Sequence, residues 1–357
     1  MREHDFEVLA QYDLDGAVVS CERYGHGHIN ETYLVVTESG CRYILQKINQ
    51  AVFRDVDALM SNIEAVTSWL SRRSADPREV LHLVKSRAGQ TYVRGGGGSA
   101  WRIYDFVKDA VCLQQPESPE DFYESAVAFG RFQELLRDFP AATLAETIPH
   151  FHDTPDRCRI FRETLERDPM GRAGDVRPEI SFVLAREAEA SVLADHLREG
   201  RLPLRVTHND TKLNNVMLDE KTRKAVCVID LDTVMPGLSL YDFGDSIRFG
   251  AASAAEDERE LSKMELRLDL FETYTRGFLS ACPGLTKLEV ELLPVGARLM
   301  TLECGIRFLT DYLDGDRYFA THREGHNLDR CRTQFKLVAD MEAKWEQMHK
   351  IVKETAG

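Results

Sequence analysis

The sequence predicts an α+β chain in two lobes, a small antiparallel β-sheet carrying one helix and then a larger, mainly helical lobe. Three observations predict it. Strand-like alternation dominates from Gly16 to about Val107, long helical periodicities follow, and a short β-branched insert interrupts those helices after residue 215. With 357 residues, 43% hydrophobic and 29% charged, the chain is large enough for a core in each lobe.

In the first lobe, strands are expected at Ala17 to Tyr24, Glu31 to Thr37, Arg42 to Ile48, Thr91 to Arg94 and Ala100 to Val107, with a helix from Asp55 to Arg73 between the third and fourth. The run Gly95 to Ser99 separates two strand-like segments of similar length, where a hairpin turn needs residues that tolerate positive φ; an interdomain linker is the other reading. The lobes are expected at residues 1–107 and 110–357, with a hinge at about 104–109. Beyond it, Phe122, Ala126, Phe129, Gln133 and Leu136 share one helical face. Leu328, Cys331, Phe335, Val338, Met341, Trp345, Met348 and Val352 share another, predicting one long last helix. Two further helices are expected at Pro178 to Glu199 and Lys287 to Leu313. Val216 to Leu218 and Ala225 to Leu231 read as a hairpin.

Charge and cysteines narrow the function classes. Lys and Arg number 45 against 59 Asp and Glu, a net charge of −14, which argues against nucleic acid as a partner because phosphate binding needs clustered cations. No stretch approaches the ~18 apolar residues of a membrane helix, and Glu3, Asp5 and Glu7 sit where a secretory leader would be basic and then apolar. A cytoplasmic protein without a membrane partner is expected, monomeric or a weak dimer. The eight cysteines lack metal or disulfide spacing and read as reduced thiols.

The segment His208-Asn209-Asp210-Thr211-Lys212-Leu213-Asn214-Asn215 carries the strongest chemical signal. Phosphoryl transfer needs a carboxylate to accept the hydroxyl proton and an amide oxygen for a metal on one rigid loop; Asp210 and Asn215 suit those roles. Twenty residues beyond Asp210, a hydrophobic strand ends in Ile229-Asp230-Leu231-Asp232, placing two acids at alternate positions and so on one side of an extended strand. Mg²⁺ bridging phosphates takes one or two such carboxylates and keeps water. Asp242-Phe243-Gly244 spells a kinase metal triplet but follows Pro236 and Gly237, and Asp242 reads as a helix N-cap. Gly25-His26-Gly27-His28-Ile29-Asn30 joins the first two strands, where backbone N–H groups can approach phosphates. The pairs His26/His28 and His150/His152 lack a third ligand for zinc. A phosphate clamp would use a lysine of the third strand and a glutamate of the helix, Lys47 and Glu64; Gln46 and Lys47 face opposite ways, so only one of the two enters the cleft.

These residues resemble the aminoglycoside phosphotransferase and choline kinase family, whose HxDxxxxN motif and following strand-end aspartate are matched at His208, Asp210, Asn215 and Asp230. The resemblance implies a bilobal protein-kinase-like fold and phosphotransfer from ATP with Mg²⁺. Longer matches resemble the branch of the family that phosphorylates the anomeric hydroxyl of N-acetylhexosamines. They run at Tyr43 to Gln46, Thr147 to Pro155, Arg205 to Asn215 and Glu303 through Phe319. Carried over, Asp210 takes the acceptor proton and Asn215 and Asp230 hold Mg²⁺. Gly25, Gly27 and Asn30 cover the ATP phosphates, with Lys47 and Glu64 as the clamp. Asp105 and Val107, in the hinge Tyr104 to Val107, receive adenine. The family's usual basic residue stands where Gln46 is here. For the sugar, His28, Asp210, Phe249, Arg307 and Tyr318 are the candidate contacts. Two other readings stand beside this one: a phosphotransferase for a cationic acceptor such as an aminoglycoside or choline, and a nucleotide-binding regulator without catalysis.

Overall fold

The structure is a computed structural model that describes residues 7–25 and 29–357. Strands β1 (Val18–Arg23), β2 (Glu31–Thr37), β3 (Arg42–Lys47), β4 (Leu83–Val84), β5 (Val93–Arg94) and β6 (Ala100–Asp105) form one antiparallel sheet in the order β1-β2-β3-β6-β4, with β5 also on β6. Val93 pairs with Trp101, so the glycine run is a hairpin turn; Gly97 and Gly98 adopt φ of 67° and 79°, which glycine alone enters freely.

Helix α1 (Val56–Ser71) starts where the Asp55 carboxylate accepts from the Ala58 amide at 2.9 Å. Its apolar stripe, Leu59, Ile63, Val66 and Leu70, joins a core that runs on into the second lobe. The other sheet face buries Val35, Leu45, Trp101 and Ile103 under Tyr12. Asn62 of α1 fastens the lobes: its amide donates to the Ala145 and Val234 carbonyls and accepts from the Ala145 amide, at 2.8 to 3.1 Å.

After Asp105 the chain enters the second lobe, where β7 (Ala110–Cys112) pairs with β9 (Val216–Asp219), itself paired with β10 (Ala225–Val228); β8 (Arg205–Thr207) pairs with β11 (Met235–Gly237). The helices are α2 (Pro119–Leu135), α3 (Thr154–Arg167), α4 (Arg177–Leu184), α5 (Val192–Arg198), α6 (Ser239–Gly250), α7 (Leu268–Ala281), α8 (Lys287–Glu291), α9 (Leu293–Asp314), α10 (His326–Ala343) and α11 (Trp345–Ala356). Helix α9 is the central post, packed by α3, α6 and α10. No helix of the described residues is long and apolar enough to cross a membrane, and no disulfide joins their cysteines.

Three expected long helices are each divided. Pro294, with no amide hydrogen to give, separates α8 from α9. Between α4 and α5, Glu187 is drawn to Arg162 and Arg186 to Glu342 at 2.6 Å, and these tertiary pairs override a helix-forming sequence. The last helix breaks at Lys344, whose ammonium meets the Leu266 carbonyl at 2.8 Å and Asp340 at 2.8 Å.

Candidate active site

The loop after β8 is held by a buried aspartate. Asp242, in the first turn of α6, accepts from the His208 amide at 2.9 Å, the Asn209 amide at 2.8 Å and the Gln133 side chain at 2.5 Å. It is not the N-cap expected from sequence, because α6 begins three residues earlier, at Ser239. Burial pushes its carboxyl up, against the pull of those donors. His208 donates from Nε2 to the Ile229 carbonyl at 2.8 Å and accepts the Asp210 amide on Nδ1 at 3.3 Å, with its ring edge-on to Phe129. The HxD histidine is therefore a brace between loop and strand. Asp245, one turn along α6, accepts from the Thr211 amide at 3.0 Å.

So braced, Asp210 faces the cleft between two donors: Lys212 Nζ at 2.7 Å from Oδ1, and Asn215 Nδ2 at 3.2 Å from Oδ2. Burial works against the Lys212 charge, but adjacent Asp210 outweighs it and holds the ammonium above its ordinary value. Asn215 Nδ2 also donates to the Asp210 carbonyl at 2.8 Å, which turns Oδ1 away as a free acceptor.

Asp230 and Asp232 do not lie on one side of a strand. β10 ends at Val228, Asp230 takes the left-handed conformation at φ 59°, and a 3₁₀ turn follows. That turn leaves Asp230 open to the cleft and directs Asp232 toward the small lobe. Packing of protein around Asp230, then the negative charges of Asp232 and Asp210, push its carboxyl up to about 7. Asn215 Oδ1 and the Asp230 carboxylate fit a hard divalent cation that keeps water and phosphate ligands. Among the described residues no group of three or more His, Cys, Asp or Glu could enclose a metal, so the protein would supply only part of such a shell.

In the small lobe, strand alternation settles which side chain enters the cleft. Lys47 points outward to Glu31 at 3.3 Å and over Trp101, and Glu64 pairs with Lys85 at 2.7 Å. The expected Lys47–Glu64 clamp is therefore not formed. Gln46 points inward, and its oxygen accepts from Arg102 of β6 at 2.8 and 3.0 Å. Arg102, 1% exposed, contacts Asp232 at 2.5 Å, and Asn30 donates to the other Asp232 oxygen at 2.5 Å. The cation behind the cleft comes from β6. A lone arginine in the otherwise apolar Ala100-Trp101-Arg102-Ile103-Tyr104 was its sequence signal, just as the lysine two residues past Asp210 was for Lys212.

Of the other expected nucleotide contacts, Gly25 has φ 74°, while Gly27, like the expected sugar contact His28, lies outside the described residues. The Asp105 and Phe106 amides are taken by the His82 and Arg42 carbonyls, leaving the Val107 amide as the hinge donor not committed to the sheet.

Of the expected acceptor residues, Phe249 lies on α6, Arg307 on α9 and Tyr318 on the loop after α9, with Asp210 on the loop after β8. Arg307 lies over the rings of Phe151, Tyr318 and Phe319, 5.2 to 5.8 Å from their centroids, with no carboxylate in ion-pair reach among the described residues. Tyr318 is 65% exposed and Phe249 41%. The Tyr318 loop hangs on Asp311, which accepts the Arg317, Tyr318 and Phe319 amides and the Asn327 side chain at 2.8 to 3.0 Å.

Residues 20–277 match the model of the phosphotransferase enzyme family. The chain belongs to that family. Its fold is shared by an aminoglycoside phosphotransferase from Alicyclobacillus acidocaldarius, at 15% identity and TM-score 0.63 over 98% of this chain and 96% of the other. It is shared as well by a microcompartment-associated aminopropanol kinase, at 17% identity and TM-score 0.57 over 96% and 97%. An amicoumacin kinase in complex with AMP-PNP and Ca²⁺ aligns at 13% identity and TM-score 0.58 over 99% and 94%. As a member of the family, the chain is a small-molecule phosphotransferase of bilobal protein-kinase-like fold.

Proposed function

We propose that the protein transfers the γ-phosphoryl group of ATP to the anomeric hydroxyl of an N-acetylhexosamine, giving the sugar 1-phosphate. The catalytic part rests on the Lys212–Asp210–Asn215 cluster. Asp210 orients the hydroxyl and accepts its proton as the new O–P bond forms and the bond from phosphorus to the β–γ bridging oxygen breaks, its electrons leaving with ADP. Lys212 faces the charge that develops on the phosphoryl oxygens. Mg²⁺, held by Asn215 and Asp230, would neutralise phosphate charge and align the phosphates. Arg102 holds Asp232, and with it the turn that carries Asp230. For adenine we assign the Val107 amide; the Asn30 side chain, expected at the phosphates, is instead taken by Asp232 and the Asn49 amide. The assembled cluster argues against a non-catalytic regulator.

One observation carries the choice of a neutral acceptor: the carboxylates around the acceptor face are already partnered. Asp245 and Glu256 are bound to Arg248 at 2.6 to 2.9 Å, Glu303 to His152 at 2.8 Å, and Asp311 is saturated by amides. What remains is the Arg307 guanidinium, which has no carboxylate partner among the described residues and reaches the Tyr318 hydroxyl at 3.5 Å, with the exposed rings of Tyr318 and Phe249. Such a surface donates to hydroxyl and acetamido oxygens and repels an ammonium group. The N-acetylhexosamine itself rests on the resemblance of the segments Thr147 to Pro155, Arg205 to Asn215 and Glu303 to Phe319.

The test is product analysis by phosphorus NMR with ATP, Mg²⁺ and N-acetylglucosamine or N-acetylgalactosamine, alongside choline and an aminoglycoside. A sugar 1-phosphate is expected. Transfer to the amines with none to the sugars would overturn the proposal, and a 6-phosphate would require a different acceptor orientation.

A further inference from the structure

Two sequence segments far apart in the chain, Phe151-His152-Asp153-Thr154 and Glu303-Cys304-Gly305, have no role in the chemistry above, yet they meet directly behind the catalytic loop. His152 precedes α3, and its Nδ1 lies 2.8 Å from Glu303 Oε1 on α9. Thr154 donates to the other Glu303 oxygen at 2.6 Å. The remaining imidazole nitrogen, Nε2, lies 3.3 Å from the main-chain carbonyl of Asn209, the residue before Asp210. The His152 side chain is 10% exposed and that of Glu303 2%. A ring that faces two acceptors satisfies both only when both nitrogens carry hydrogen. Glu303 is equipped to balance such a ring: burial would raise its carboxyl, but His152, Arg307 and Thr154 together hold it below its ordinary value.

The φ of Asn209 is 67°, a left-handed conformation that asparagine adopts at less cost than other side chains, and here hydrogen bonds to the residue hold it in place. The Asn209 amide is held by Asp242 at 2.8 Å and its side chain by the Thr233 carbonyl at 2.8 Å. The carbonyl half of the Asn209–Asp210 peptide is held from the α9 side by His152. On α9, Arg307 follows Glu303 by one turn and lies over Phe151, the residue before His152.

We propose that His152 and Glu303 are positioning residues, a buried imidazole–carboxylate strut that fixes the Asn209–Asp210 peptide and sets the catalytic carboxylate relative to the acceptor wall carrying Arg307. The assignment rests on reading Asp210 as the group that takes the acceptor proton. The strut touches neither substrate, so its removal lowers kcat and leaves the affinity for ATP unchanged.

Two substitutions separate its two ends. In His152→Gln the side-chain amide nitrogen stands in for Nε2 and can still reach the Asn209 carbonyl; in His152→Asn it stands in for Nδ1 and reaches only Glu303. If the grip on Asn209 is what matters, H152Q keeps kcat within about threefold of wild type while H152N loses about 10²-fold, with KM for ATP within about twofold in both, since small misplacements of a reacting group carry costs of this order. Equal loss, equal retention or the reverse ranking overturns the strut. Should the wild-type protein phosphorylate no N-acetylhexosamine, the proposed function fails on its own, and the same three proteins are compared by hydrogen exchange of the amides in residues 208–215. Faster exchange in H152N than in H152Q upholds the strut, and indistinguishable exchange overturns it.

Discussion

Asp210 reaches the cleft with its two carboxylate oxygens already assigned, one to Lys212 and one to Asn215. Asp210→Asn should lower kcat by about 10²- to 10⁴-fold, the usual worth of a general base, while nucleotide binding measured by calorimetry stays near wild type. A near wild-type rate would remove Asp210 from the mechanism. Asp230 makes the second prediction at this scale. Its carboxyl is raised to about 7, so in the metal-free protein it holds its proton below that pH and must release it when a cation binds. The sign follows: kcat/KM for ATP with Mg²⁺ is full above about 7 and falls as pH drops through it, and higher Mg²⁺ moves the limb to lower pH. A pH profile that ignores the Mg²⁺ concentration would contradict this. The meeting of Asp210 and Asn215 was legible in the sequence because their spacing is local, whereas the left-handed turn at Asp230 was not, since the sequence read as a strand end. The role of Asp242 was not, because its partners lie more than thirty residues away and only the fold brings them to it.

Between β3 and β6, a register choice decides which side chain serves the cleft. Alternation showed that Gln46 and Lys47 point oppositely, and cross-strand pairing with Arg102 and Trp101 then placed Gln46 inward. Lys47→Ala should leave KM for ATP unchanged and cost at most ~1 kcal/mol, since the Glu31 pair is exposed. Arg102→Ala should cost about 3–5 kcal/mol, because it strands Asp232 without its cation in a buried site. Urea titrations of both variants check the ranking, and comparable costs would contradict it. Helix packing makes a similar demand where α6 crosses α9: a Cβ at Gly244 would stand 2.4 Å from the Gly296 carbonyl oxygen. Gly244→Ala should therefore lower stability by about 1–3 kcal/mol, read as a lower melting temperature. Helical periodicity located the helices but missed their breaks, since an apolar stripe continues across a kink whenever both halves face one core.

Across the whole molecule, the α1 side of the small lobe shares a hydrophobic core with the second lobe, while the other face of the sheet keeps a core of its own. Asn62 bonds to Ala145 and Val234, Asn30 and Arg102 hold Asp232, and one hydrophobic cluster passes from α1 to α7 and α9. Calorimetry of the nucleotide-free protein should therefore show one cooperative transition; two separated transitions would mean that the lobes unfold independently. The two-lobed class was legible because strand and helix periods segregate along the chain. The coupling between lobes was not, because it depends on single polar side chains whose partners lie 83 to 202 residues away. The net charge of −14 is an average over the chain, and the acids nearest Arg307 are already partnered within the protein.

The inward glutamine also has a practical consequence for chemical proteomics. Reactive acyl-phosphate nucleotides label kinases by acylating the lysine that a kinase presents from its small sheet to the phosphates. At that register this protein offers an amide backed by a guanidinium, neither of them a nucleophilic amine. Lys212, reaching up from the opposite lobe, is the amine that such a reagent would meet, so a labelled peptide from this protein would report the catalytic loop rather than the sheet.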